Sequence, residues 1–151
     1  MSRYVASGNQ NLTTTAITAL HISSLATTEI CRSRTYDILI ADEGTPADNV
    51  ALHTIQRITA IGTNTAVVPT KLDIADRVAL MLAGENHTVE PTYTAAEELL
   101  EVALNTRATF RWVAAPGGEI VTPAVSASGW GAKSLHASAT TAWRVTAYFE
   151  E

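Results

Sequence analysis

The amino-acid sequence predicts a mainly β protein, an antiparallel β-sandwich or jelly roll with at most one or two short helices. Three observations predict it. Alanine and threonine together make up roughly three residues in ten, and threonine's branched Cβ suits a pleated, half-buried surface better than a helix. The last segment, 140–150, alternates strictly, with Ala142, Arg144, Thr146 and Tyr148 on one side and Trp143, Val145, Ala147 and Phe149 on the other. Short apolar runs are separated by turn residues about every ten positions along the chain.

Taken in order, the first eleven residues are polar and unpatterned, and read as an N-terminal arm that orders only against a neighbour. Residues 12–151 read as one β-sandwich domain. Within 13–25, Ile17, Leu20, Ile22 and Leu25 form no clean stripe but sit among weak helix formers, which predicts one or two strands. In 29–40, Ile30, Arg32 and Arg34 share a parity with Tyr36, Ile38 and Ile40, and two arginines in line with core residues imply a twist or a bulge. The polar run 41–49 ends that strand.

Residues 50–61 read as a strand of mixed character on both faces, and Gly62-Thr63-Asn64-Thr65 as a turn before a strand that Pro69 ends. Asp73 is placed to cap a short helix running to Ala83, with Gly84 as its stop. The stretch 94–104 is ambiguous. Thr94 and Glu97 have capping-box spacing and the intervening residues favour helix, yet 108–114 is strand-like and Asn105-Thr106 suits a hairpin turn, so strand is slightly favoured. Further on, Pro116-Gly117-Gly118 reads as a turn, 119–121 as a short strand and Ser128-Gly129-Trp130-Gly131 as a loop.

The chain has 151 residues, ten basic against fifteen acidic, for a net charge of −5. That balance argues against nucleic acid as a partner. The N-terminus lacks the apolar stretch of a secretory signal and no window reaches the length of a membrane span, so a soluble chain without a membrane partner is expected. The single cysteine, Cys31, has no internal bridge to form and reads as inert packing. Two glycosylation-like triplets, at Asn11 and Asn86, carry no weight without secretion.

Chemistry is sparse. The four histidines, at 21, 53, 87 and 136, lack metal-ligand spacing and read as surface or half-buried, so neither a metal nor a cofactor is expected. Ser126-Ala127-Ser128-Gly129 lacks the first glycine of a nucleophile elbow, and the glycine-rich fragments lack the lysine of a phosphate cradle. The cluster Glu97-Glu98-Leu99-Leu100-Glu101 has carboxylates enough for glycoside hydrolysis but reads better as a solvated face. Trp112 and Trp143 sit inside apolar strands and are expected in the core. Trp130, between two glycines, is the one plausible exposed stacking surface. No enzymatic activity is expected.

Several segments together carry a resemblance: 44–49 (Gly-Thr-Pro-Ala-Asp-Asn), 56–63 (Gln-Arg-Ile-Thr-Ala-Ile-Gly-Thr), 86–94 (Asn-His-Thr-Val-Glu-Pro-Thr-Tyr-Thr) and 104–118, which includes Thr109-Phe110-Arg111-Trp112-Val113. From about Tyr36 to Glu151 the chain resembles small structural proteins of tailed bacteriophages, in particular the capsid decoration, or cement, proteins. That resemblance implies a β-rich, homotrimeric virion protein made in the host cytoplasm, placed on the capsid surface and bound to the major capsid protein, where it holds shell subunits together. Low surface charge fits such a role, because lysine, depleted at interfaces, occurs only at 71 and 133. Candidate interface residues are Arg32, Arg34, Arg57, Arg107, Arg111 and Trp130. The alternatives are a carbohydrate-binding β-sandwich module of a head or tail fibre and a tail-tube or connector subunit.

Overall fold

The computed structural model describes residues 1–24, 31–43, 45, 47–136 and 141–151. Leu25, Glu29, Ile30, Gly44, Pro46 and Thr140, each part of a segment read above as strand or loop, lie outside them. The described residues form strands and turns with no helix. In chain order the strands are β1 (Arg3–Asn11), β2 (Ile17–Ser23), β3 (Ser33–Glu43), β4 (Val50–Ala60), β5 (Thr63–Val67), β6 (Thr70–Lys71), β7 (Leu82–Val89), β8 (Thr92–Asn105), β9 (Thr109–Val113), β10 (Ile120–Thr122), β11 (Gly129–His136) and β12 (Ala142–Glu150).

They assemble into two antiparallel six-stranded sheets. The first runs β10-β3-β12-β1-β6, with β9 also paired to β3, and the second runs β5-β7-β2-β11-β4-β8. The predicted mainly β sandwich is what the chain forms. Tyr4, Ile38, Ile40, Trp143, Val145 and Phe149 from the first sheet share one buried cluster with Leu20, Ile22, Ile55, Trp130 and Ala132 from the second. The alternation read in the last strand holds residue by residue in β12, where Trp143, Val145, Ala147 and Phe149 are buried and the residues between them are half-buried.

The bulge inferred from the two in-line arginines is present. Tyr148 pairs with Asp37 but Phe149 pairs with Thr35, so Tyr36 is the extra residue of β3. The parity therefore shifts there, leaving Ile38 and Ile40 in the core while Arg34 is exposed. Residues 94–104 are strand, within the 14-residue β8. Pairing with β4 over Val50–Ile55 overrides the local helix propensity, and Ala96 at φ 57° marks where β8 loops out between Tyr93 and Glu98.

Three expectations are corrected. Residues 3–11 are no free arm: β1 pairs with β12 along its whole length and with β6 at Tyr4 and Val5. Its polar look hides a small inward face of Tyr4, Ala6 and Gly8, and Gly8 packs so tightly on β2 that an added Cβ would lie 2.3 Å from the Ala19 carbonyl oxygen. The helix from Asp73 to Ala83 does not form. The Asp73 carboxylate accepts from the Ala75 N–H at 2.9 Å in a local turn, and Gly84 lies inside β7. Gly129-Trp130-Gly131 opens β11 instead of forming a loop.

Candidate interaction surface and buried polar network

The predicted interface residues do not converge. Arg32 and Arg34 are exposed near the start of β3 and flank a shallow depression with Met1, Glu150 and Glu151. Arg57 is half-buried and donates from Nη1 to the Val121 carbonyl, lining a separate groove with Thr94 and Glu97. Arg107 is exposed and pairs with Asp48 at 3.1 Å. Arg111 grips the buried Asp37 through Nε, at 3.1 and 3.2 Å from its two oxygens, and through Nη2. That is a cross-strand pair between β9 and β3.

Trp130 is the clear correction. It is fully buried, and its indole N–H donates to Thr35 Oγ1 at 3.0 Å, tying the second sheet to the first. The glycines beside it mark close backbone packing, not a flexible loop: a Cβ on Gly129 would fall 2.0 Å from the Ile22 carbonyl oxygen. Of the other tryptophans, Trp143 is in the core as expected and Trp112, on the outermost strand beside β3, is half-buried. Cys31 lies 3.3 Å from the Met81 sulfur, and burial pushes its thiol up to about 11, which keeps it protonated and unreactive at neutral pH.

The histidines are buried, all four, and the structure brings them into two groups. Leu20 and Ile22 face the core, so His21 between them projects from the opposite face of the second sheet, where His87 meets it. A carbonyl only accepts, so His87 Nδ1–H donates to the Thr18 oxygen at 3.1 Å. Neutral His87 Nε2 then accepts from His21 Nδ1–H at 2.9 Å. Among the described residues, His21 Nε2 is left as a buried lone pair with no hydrogen-bond partner.

The chain of bonds continues through Thr18. Its hydroxyl and N–H donate to the Glu90 carboxylate, and the Tyr93 hydroxyl bonds Thr18 Oγ1 at 2.6 Å. Tyr93 lies over Gly131, where a Cβ would meet its hydroxyl at 2.6 Å, and Lys133 Nζ sits 4.5 Å from the Tyr93 ring centre. Burial raises the Tyr93 phenol and holds it protonated. Desolvation lowers His21 to about 3, helped by His87, and lowers His87 as well. Both rings are therefore neutral.

The second group lies between the sheets. His53 packs against Trp143 at 4.9 Å between ring centres, Ser134 stands opposite His53 on β11, and Asp42 stands opposite Trp143 on β3. Burial lowers His53 to about 4 and raises the Asp42 carboxyl to about 6, the latter opposed by His136. Asp42 Oδ1, His53 Nδ1, Ser134 Oγ and Trp143 Nε1 have no hydrogen-bond partner among the described residues. The two groups were invisible in the sequence because their members are separated by 66 positions in one case and come from four strands in the other.

Comparison with protein-family models, curated proteins and solved structures gave no match. The described residues hold no cluster of three or more histidine, cysteine or carboxylate side chains placed for a metal ion.

What the fold does display is an apolar loop. Between β5 and β7, Val68 is 77% exposed, Leu72 49%, Ile74 91% and Val78 68%. The loop is pinned from inside. Lys71 Nζ donates to the carbonyls of Ile74 and Asp76 at 2.9 and 2.8 Å, and the Asp76 carboxylate accepts from Ser2 Oγ and the Arg3 N–H. Tyr4 donates to the Arg77 carbonyl, while the buried Glu151 carboxylate accepts from the N–H groups of Leu80 and Met81 and pairs with Arg77. Four large apolar side chains are thus held outward on an ordered backbone. The sequence hid this surface, because the segment from Asp73 to Ala83 reads as a capped helix.

Proposed function

We propose that this chain is a non-enzymatic virion protein that binds the outer surface of a tailed-phage capsid, associates with itself, and clamps neighbouring shell subunits. The single observation that carries the reading furthest is the pinned loop displaying Leu72, Ile74 and Val78 with Val68. Apolar side chains displayed on a pinned backbone lose little conformational entropy when they dock, and large exposed apolar side chains are an ordinary feature of protein-binding surfaces. The segment resemblance supplies the identity of the partner, a major capsid protein. Repetition of a modest contact around a symmetric shell supplies avidity.

The carbohydrate-binding alternative stood on Trp130 as a stacking ring, and that ring is sealed in the core. The proposal is tested by incubating the purified chain with capsids that lack it and measuring occupancy by electron microscopy. Specific density on the shell, lost with Ile74→Asp, supports the reading. Absence of binding by the folded native chain overturns it.

A further inference from the structure

We propose that β8 of one copy pairs edge to edge with β9 of a second copy, in a head-to-tail contact that joins the second sheet of one molecule to the first sheet of the next. The inference rests on the self-associating reading above and assigns it a surface. β8 is the outermost strand of the second sheet and pairs only with β4, so along its 14 residues one row of backbone N–H and C=O groups has no strand partner among the described elements. Such an edge is a template for another strand.

Charge decides which strand it takes. β8 carries Glu97, Glu98 and Glu101, all exposed, and no basic residue, and none of the three is in an ion pair among the described residues. A second β8 would set three carboxylates against three, so this edge rejects its own copy. β9 is the complementary strand on the molecule. Among the described strands it is an outer strand paired only with β3, it carries Arg111, and Arg107 stands in the turn just before it. Both guanidiniums have partners, Asp48 and Asp37, yet their side chains remain 60% and 62% exposed, leaving N–H donors turned to solvent.

β9 also leaves Val113 exposed on the same face as Arg111, while Phe110 and Trp112 alternate with them and pack against the core. Because the two edges differ, the contact is heterologous, and a heterologous contact closes into a ring when its rotation permits.

The test uses two charge variants of the full chain. One reverses β8 (Glu98→Arg with Glu101→Arg) and the other reverses β9 (Arg107→Glu with Arg111→Gln, glutamine being chosen so that no carboxylate faces Asp37). Size-exclusion chromatography with light scattering should show the native chain associating more strongly at low salt, each folded variant alone running as a 16.1 kDa monomer, and an equimolar mixture regaining the assembly. A native chain that stays monomeric at every concentration and salt overturns the pairing, as do variants that assemble alone like the native chain. Binding to capsids is measured in parallel. A monomer that still decorates shells sinks the pairing and leaves the clamp, whereas a charge-dependent assembly that ignores shells sinks the clamp and leaves the pairing.

Discussion

Acid should destabilise this fold well before its surface carboxylates titrate, because His21 and His53 are buried neutral. In the unfolded chain each has its ordinary value near 6.5, while folded they sit at about 3 and about 4. A histidine whose folded value is depressed binds its proton only after unfolding, so the stability it provides is present above 6.5 and lost as pH falls through the window down to the folded value. Lowering the pH from 6.5 to 5 removes roughly 1.6 kcal/mol for each, about 3 kcal/mol together. Asp42 works in the opposite sense. Its carboxyl is raised from 3.8 to about 6, so the folded state takes up a proton first and regains about 1 kcal/mol over the same window. The expected net loss is about 2 kcal/mol, with lowered His87 adding to it. Urea unfolding at pH 6.5 and pH 5 should show a midpoint lower by roughly 1 M at the lower pH. His21→Gln should remove most of the dependence, since His21 supplies roughly 1.6 of the net loss of about 2 kcal/mol. A midpoint that holds constant or rises on acidification would refute the buried-neutral assignment.

Three further outcomes follow from the geometry. Thr35→Val leaves the Trp130 indole N–H buried without an acceptor and should cost about 1–3 kcal/mol, read as a melting temperature lower by several degrees in calorimetry. Gly129→Ala drives a Cβ into the Ile22 carbonyl and should cost about 3 kcal/mol, whereas Gly117→Ala, at φ +81° with open space around it, should cost only about 1 kcal/mol; equal melting points for the two would contradict the close packing of β11 on β2. Ile74→Asp should leave stability within about 0.5 kcal/mol of native while weakening capsid binding at least about tenfold, so a large drop in melting temperature would show that Ile74 packs within the molecule.

How much of this was legible in the sequence depended on whether a residue's neighbours were close in the chain. β12 could be read outright because one face meets the core and the other stays half-exposed, so its period is undiluted. β2 gave no clean stripe because it is buried on both faces, with Leu20 and Ile22 toward the core and His21 toward His87. The bulge at Tyr36 was announced by arginines on the wrong parity. β1 was misread as an arm because its inward residues, Tyr4, Ala6 and Gly8, are mostly small and its partner β12 lies more than 130 positions away. Trp130 was misread because glycine signals both turns and close packing, and only the positions of Ile22 and Tyr93 distinguish them. The apolar loop was mistaken for a helix because Asp73 caps equally well a turn that goes no further.

The central claim, that this chain clamps a shell from outside, is tested most directly by heating purified capsids with and without it and following rupture. The account predicts that decorated capsids survive to a higher temperature and that Ile74→Asp removes the gain. Identical rupture temperatures for bare and decorated shells would contradict it.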